Sequence, residues 1–431
     1  MRLNQVEKRT FFLLMLASLF NGFVFSSFQI QDIIAKKALH ALDWQITLLV
    51  MLWPISNLFS IWWGKILEHS GKLSGFFVLT GFAGRLCLLF MLWINSFYHY
   101  LIILIIVFSF NSFLSPAQNS IYQINIKQEN RGIIFGYTSS LITLVMILAS
   151  YIAGRILDIN ESWFRYIFAF VGIMGCISAL IMALIKVRKD SSREKAFTNL
   201  KQLFIKPIAR MLEVLKQNRD YAVFQRNFFI YGMAFMMILP AIPKYLIDYL
   251  NMDYSQTFLA KAIISQVGIL ILAPIAGKVF DNKNPAFFTS LTFGCVSLYP
   301  LILLISSFFI GHPFANYFVY LAFLVFGIGM SGMIIAWNIS SIYFAGDQDV
   351  SMYQSVHVTL TGIRGIFAPF LGLIVMKLFG IRTLFVITIL LLLLASALSY
   401  KLYLAMDKKK FKLNLHGRKF MIYLRKIFPF S

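Results

Sequence analysis

The stretch Gly64-Lys65-Ile66-Leu67-Glu68-His69-Ser70-Gly71-Lys72 recurs in outline 213 residues later as Gly277-Lys278-Val279-Phe280-Asp281-Asn282-Lys283-Asn284-Pro285. Each copy sits between two apolar runs long enough to cross a bilayer: 44–63 and 74–94 around the first, 258–277 and 286–310 around the second. A Gly-Lys-apolar-apolar-acid segment at corresponding places in two halves marks an internal duplication. A fainter echo supports it, with Ser120-Ile121-Tyr122 answered by Ser341-Ile342-Tyr343 at an offset of 221.

Outward from these two segments the apolar runs continue: 10–31, 98–119, 133–154 and 165–186 in the first half, and 225–246, 317–339, 354–376 and 383–404 in the second. With the four flanking runs they make twelve, each near the ~20 residues a spanning helix needs. Composition agrees. The 431 residues are 59% hydrophobic and 13% charged, with mean hydropathy +0.76, against about 25% charged in ordinary soluble domains. The first run follows MRLNQVEKR, exceeds the 7–15 residues of a secretory apolar core and lacks a small-residue cleavage site. It reads as a retained first helix. Cys87, Cys176 and Cys295 all lie within apolar runs without C-x-x-C spacing, so neither a disulfide framework nor a metal site is expected.

The chain carries 39 Lys+Arg against 17 Asp+Glu, a net charge of +22. With the N-terminus in the cytoplasm, 29 bases fall on the inner side and seven on the outer. This asymmetry is an orientation signal that puts both termini inside. It is not read as a nucleic-acid footprint, since no aromatic-interleaved basic stripe accompanies it. The expected organisation is a six-helix bundle over 1–186, a basic linker with an amphipathic helix over 187–224, a second six-helix bundle over 225–404, and a basic amphipathic tail over 405–431. Linker and tail both suit an anionic inner leaflet.

The segment 64–72 resembles the loop signature of the major facilitator superfamily: Gly64, an acid at Glu68, then Gly71 and the base Lys72. The likeness extends over the whole chain, through the duplicated six-span halves, the basic central loop and the degenerate second copy at Gly277, Lys278 and Asp281. It implies an all-α membrane fold of twelve helices in two bundles that rock about a central cavity. It also implies an intracellular gate in which Glu68 latches to a base, with Arg131 of the next inner loop as the plausible partner. Two family features are missing: the fourth span, FSFNSFLSPAQNS, has no membrane arginine, and the fifth has LASYIAG where antiporters tend to carry Gly-Pro.

Ionisable residues within a span are costly and therefore informative. No acid lies inside a span, and Asp32 comes nearest, at the outer edge of the first. Arg85 lies deep in the third span and is read as a structural charge. Lys261, three residues into the eighth, is read as an anchor to the outer interface. In the eleventh span Gln354, His357, Thr361 and Arg364 share one helical face. Arg364 is a candidate for an anionic substrate group, with His357 and Asp32 as candidates for proton coupling. The likeness places the cavity on the first and fourth helices of each half. Their polar positions give substrate-binding candidates Asn21, Gln29, Asn111, Ser115, Gln118, Asn227, Tyr231, Trp337 and Asn338.

The leading expectation is a secondary transporter that moves a small anionic or zwitterionic organic solute by alternating access, with proton coupling. Two alternatives stay open: a membrane receptor or scaffold of the same architecture that does not transport, and a proton-coupled exporter of amphipathic drug-like compounds. An enzyme is not expected, since the six histidines are scattered and no H-E-x-x-H, G-x-S-x-G or P-loop occurs. No cofactor, metal or nucleic-acid partner is expected. The chain is read as a monomer in a bacterial inner membrane.

Overall fold

The structure, a computed structural model, describes residues 3–70, 73–112, 114–187, 211–282, 284–346 and 350–427. Among them, the regular structure is entirely helical. Helix α1 (Gln5–Lys37) opens on a capping box: Asn4 Oδ1 accepts from the Glu7 amide at 2.8 Å and the Glu7 carboxylate accepts from the Asn4 amide at 2.9 Å. It is followed by α2 (Asp43–Ser70), α3 (Leu73–Trp93), α4 (Phe97–Asn111), α5 (Leu114–Asn125), α6 (Gln128–Ile159) and α7 (Phe164–Ala183). The second half holds α8 (Arg219–Tyr249), α9 (254–282), α10 (Pro285–Ser306) and α11 (Phe314–Ala345). A last rod, Val350–Ile427, turns at Gly380 (φ 83°, ψ 168°) into α12 (350–379) and α13 (381–427). That left-handed φ is open to glycine at no steric cost. Nine helices among the described residues are long and apolar enough to cross a membrane, counting Tyr353–Lys408 as one.

The helices overrun the expected spans. The second was read as 44–63, with a loop from Gly64, but α2 stays helical through Ser70. Likewise the second copy is helical through Asn282. Nothing in GKILEHS stops a helix, and a single interior glycine costs only about 1 kcal/mol. The fourth run, read as continuous over 98–119, instead divides into α4 and α5 at Ser112, whose hydroxyl donates back to the Ser109 carbonyl at 2.7 Å. Three π-helical turns interrupt the rods, at Thr80–Gly84, Tyr245–Tyr249 and Leu259–Ile264. Such turns insert one residue and re-aim the side chains around it.

Packing sorts the helices into two groups. In the first, α1 lies against α6 and α7, and α3 against α7. In the second, α12 and α13 pack on α8 and α10, and α11 packs on α9 and α10. The groups touch where α2 meets α12 and where the start of α9 meets α6. Their buried cores show how they are joined. One cluster, from Leu14, Phe77 and Ile121 to Met182, belongs to the first group alone. Another, from Tyr221 and Phe228 to Leu402, belongs to the second alone. The third is continuous across both, from Ile30, Ile46 and Phe97 through Met236 and Tyr254 to Phe385. Among the described residues, the molecule is therefore sealed at the end away from the N-terminus, while at the N-terminal end each group keeps its own core.

Candidate functional site: a charged cavity between the helix groups

A cavity of about 370 Å³ lies under the sealed end. Helix α1 contributes Gln29 and Asp32, α9 contributes Lys261, Ser265 and Gln266, and α8, α10 and α11 supply an apolar wall that includes Phe235, Tyr299, Phe326 and Met330. The wall is aromatic and ordered: Phe235 stacks on Phe326 with centroids 6.1 Å apart and on Tyr231 at 5.9 Å, and Tyr231 stacks in turn on Phe293 at 4.4 Å. Tyr231 is otherwise buried, its hydroxyl donating weakly to Met330 Sδ at 3.9 Å.

The polar edge of the cavity is an ion pair. Lys261 Nζ donates to both carboxylate oxygens of Asp32, joining two helix groups across 229 residues of sequence. Asp32 is buried at 5% exposure and also accepts from the Ile33 amide at 3.0 Å. Lys261 stands on the π-helical turn Leu259–Ile264. The reading of Lys261 as an interface anchor is therefore corrected: its ammonium turns inward to a carboxylate. Opposite charges in two spans, each close to the same membrane edge, were the signal that could have paired them.

Around the pair, further polar contacts close the same end. Lys36, Asp43, Lys244 and Asp248 form a ring of four ion pairs at 2.9–3.3 Å that links α1 and α2 to α8. Burial pulls the Asp43 carboxyl upward, but the hydrogen bonds and charges of Lys244 and Lys36 outweigh it and hold Asp43 below the usual carboxylate range. The Asp158 carboxylate accepts from the amides of Tyr254 and Ser255 at 2.8 and 3.0 Å, at the first turn of α9, where the helix dipole favours an anion. Lys37 donates to the Met252 carbonyl at 3.3 Å and lies 4.3 Å from the Tyr254 ring centroid.

The other candidates gather elsewhere. Asn21 and Asn111 meet at Arg85, whose Nη2 donates to their side-chain oxygens at 2.7 and 3.4 Å while Nη1 donates to the Gly175 carbonyl at 3.1 Å. Arg85 follows directly on the π-helical turn Thr80–Gly84. The face of α12 does assemble, but against α8 and α11. Arg364 Nη1 donates to the Phe228 carbonyl at 2.6 Å and Nη2 to Thr361 Oγ1 at 3.0 Å. Its guanidinium fills the space left by Gly232, where a Cβ would come within 2.1 Å of it. His357 Nδ1 is 3.0 Å from Gln225 Oε1, and its ring is enclosed by Phe228 and Trp337. Gln354 donates to the Trp337 carbonyl at 3.5 Å, and buried Asn227 accepts from Arg226 at 3.2 Å. Asn338 is exposed and donates to the Ile334 carbonyl at 2.8 Å. Gln118 is half-buried on α5, and the side chain of Ser115 lies outside the described residues.

Of the intracellular gate candidates, Arg131 turns its Nε onto the carbonyls of Ile126 and Tyr122, at 2.9 and 3.1 Å. Gly71 and Lys72 lie outside the described residues. The backbones of Gly64, Glu68, Gly277, Lys278 and Asp281 are helical, and their side chains lie outside the description.

Comparison with known proteins agrees with this architecture. A search of curated proteins finds no match. Among solved structures, a variant of the nucleoside transporter NupG superposes with a TM-score of 0.71 at 12% identity, over 93% of this chain and 100% of that one. A POT family transporter in complex with 5-aminolevulinic acid gives 0.73 at 11%, over 92% and 96%. A bacterial homologue of the human lysosomal transporter Spinster, inward-facing and unoccupied, gives 0.63 at 14%, over 94% and 99%. At these identities the likeness establishes the fold, and the similar chains are transporters rather than enzymes. Residues 10–346 match the Major Facilitator Superfamily. With its many apolar helices and that match over most of its length, this multi-pass membrane protein belongs to the Major Facilitator Superfamily.

Proposed function

We propose that the chain is a secondary transporter that carries a small zwitterionic or anionic organic solute by alternating access, with the Asp32–Lys261 pair at the point of exchange. The observation that carries this reading is the pair itself, two opposite charges from different helix groups at the edge of one cavity. Removing one member of a buried pair costs ~3–5 kcal/mol because the other is left uncompensated. The groups therefore part readily only when something replaces each partner. A solute carrying an ammonium and a carboxylate does so at both ends, and a proton on Asp32 does so at one. The stacked rings of Phe235 and Phe326 suit an apolar or planar body between those charges. We place proton exchange at Asp32 because it faces the cavity, whereas His357 is enclosed by Gln225, Phe228 and Trp337.

Twelve crossings follow if the nine long apolar helices are joined by α2, by α4 with α5, and by the division of the last rod at Gly380. The excess of basic residues then puts both termini, and the split end of the molecule, in the cytoplasm of a bacterial inner membrane. The sealed end faces outward, so this is an inward-facing arrangement. The halves are 1–186 and 225–404, joined by the basic linker.

The test is solute uptake into proteoliposomes, with amino acids, short peptides and nucleosides offered with and without a pH gradient. Asp32→Asn and Lys261→Gln are each expected to lower the rate at least tenfold. If either neutralisation leaves uptake of a transported solute unchanged, the pair is not the exchange point. Impermeant labelling of a cysteine at position 39 from outside checks the orientation.

A further inference from the structure

A second and larger cavity, of about 880 Å³, opens inside the first helix group, at the end that holds the N-terminus. It is bounded by the start of α1, the end of α5, the start of α6 and the residues after α7. Four cations line it, Arg9, Lys127, Arg131 and Lys186, with no carboxylate among the described lining residues. The nearby acid, Glu7, offsets Lys127 in part and leaves the described lining net positive. Glu7 is fully buried, and its carboxylate accepts from the amides of Asn4 and Lys127 and from Asn130 Nδ2 at 2.9–3.1 Å. The bases are held in place by main-chain contacts. Asn125 Nδ2 donates to the Lys186 carbonyl at 3.0 Å and Arg131 Nε to the Ile126 carbonyl at 2.9 Å. The rest of the wall is mixed, with Asn4, Gln5, Thr10 and Asn125 beside an apolar part that includes Leu13, Ile126 and Ile185.

A cavity of this size is within the range that small organic ligands occupy. Basic pockets between membrane helices on the cytoplasmic side hold anionic headgroups. We infer that this cavity is a binding site for a phosphate-bearing anion, with Arg9, Lys127 and Lys186 as its cationic contacts. The apolar part of the wall provides for the start of an acyl chain. The inference rests on the inner placement of the N-terminus, but it concerns a site apart from the Asp32–Lys261 cavity.

Native mass spectrometry of the full chain in neutral detergent, titrated with phosphatidylglycerol or phosphatidylcholine, tests it without any transport. Wild type is expected to retain phosphatidylglycerol preferentially. Arg9→Gln with Lys186→Gln should weaken that retention by roughly 30-fold, since each base near an anionic headgroup contributes about fivefold. These changes leave the main-chain hydrogen bonds intact, and an unchanged thermal midpoint confirms folding. Lys401→Gln with Lys408→Gln, two exposed bases in the middle of α13 on the same membrane side, should change it by less than threefold. Equal losses in the two double variants, or no loss in either, overturn the site. Millimolar inorganic phosphate is the second arm: displacement of the lipid identifies a soluble phosphate as the ligand, and persistence identifies the headgroup.

Discussion

Arg85 is a charge solvated by dipoles. It is 2% exposed, and its guanidinium meets two amide oxygens and a carbonyl rather than an acid. Hydrogen bonds to charged groups contribute about 1.5–3 kcal/mol in soluble proteins, and polar contacts in membranes average only ~0.6. Arg85→Met should therefore lower stability by about 2 kcal/mol, read as a fall in the thermal midpoint in detergent. Arg85→Lys keeps the charge but not the forked geometry, and should fall between the two. An unchanged midpoint for Arg85→Met would show that Asn21 and Asn111 re-pair without it. Asp43 makes a different prediction. Its native pKa is lowered by Lys244 and Lys36, so its contribution to the sealed end is complete above the ordinary carboxylate value of about 3.9 and is lost only as pH falls through the lower native value. Outward sealing should thus be flat from pH 5 to 8 as far as Asp43 is concerned, whereas Asp43→Asn should relax it at pH 7. Impermeant labelling, from outside, of a cysteine at position 242 in the cavity wall measures both.

At the scale of the element, close crossings decide what is tolerated. A Cβ on Gly372 would stand 1.9 Å from the Met237 carbonyl oxygen, so α12 and α8 meet backbone to backbone. Gly365 lies against Pro54 and Gly362 against Leu58, which brings α12 onto α2 of the other group. Gly372→Ala should reduce the yield of folded protein, because no side chain can rotate away. Gly136→Ala, on an open face of α6 with nothing within 4 Å, should leave stability unchanged or raise it by up to ~1 kcal/mol. Purification yield and thermal midpoint of the two variants separate these outcomes. The elements were legible in the sequence because a membrane helix announces itself by length and apolarity. The shared face of Gln354, His357, Thr361 and Arg364 was legible for the same kind of reason, since helical spacing sets it locally. What that face meets was not. Phe228 and Gly232 lie more than 130 residues from Arg364, and nothing in their identity marks them as its cradle. The pairing of Lys261 with Asp32 was hidden in the same way. Span depth placed both residues near the outer edge, but not on facing helices, and the π-helical turn that re-aims Lys261 leaves no mark in LAKAII. The split of the fourth run at Ser112 left no mark either, whereas the helical continuation through Gly64 needs no more than the local propensity of GKILEHS.

Among the described residues, the bonds that join the two groups are concentrated at the end away from the N-terminus. The resemblance to the family directed attention to a latch at the opposite end, around Glu68, whose side chain lies outside the described residues. The described contacts hold the end away from the N-terminus shut: Asp32 with Lys261, Asp158 with the start of α9, and the ring of Lys36, Asp43, Lys244 and Asp248. Ring members at this exposure contribute about 0.2–1 kcal/mol per pair, so the ring supplies a few kcal/mol at most. Moving a two-state equilibrium from 1:99 to 99:1 takes about 5.5 kcal/mol. The ring is therefore a bias that ligand binding can overcome, not a lock. Lys244→Asp would put three carboxylates around Lys36 and should tip the molecule toward its outward-open form, exposing a cysteine at position 242 in the cavity wall to impermeant maleimide from outside. Reversing all four charges together, as Lys36→Asp, Asp43→Lys, Lys244→Asp and Asp248→Lys, keeps every pair opposite in sign and should restore sealing to near the wild-type level. If the fourfold reversal labels as readily as the single variant, individual side-chain packing holds that end closed and the alternation of charge does not. If neither labels more than wild type, the continuous core beneath the ring, from Ile30 through Tyr254 to Phe385, outweighs the charges in keeping the outer end shut.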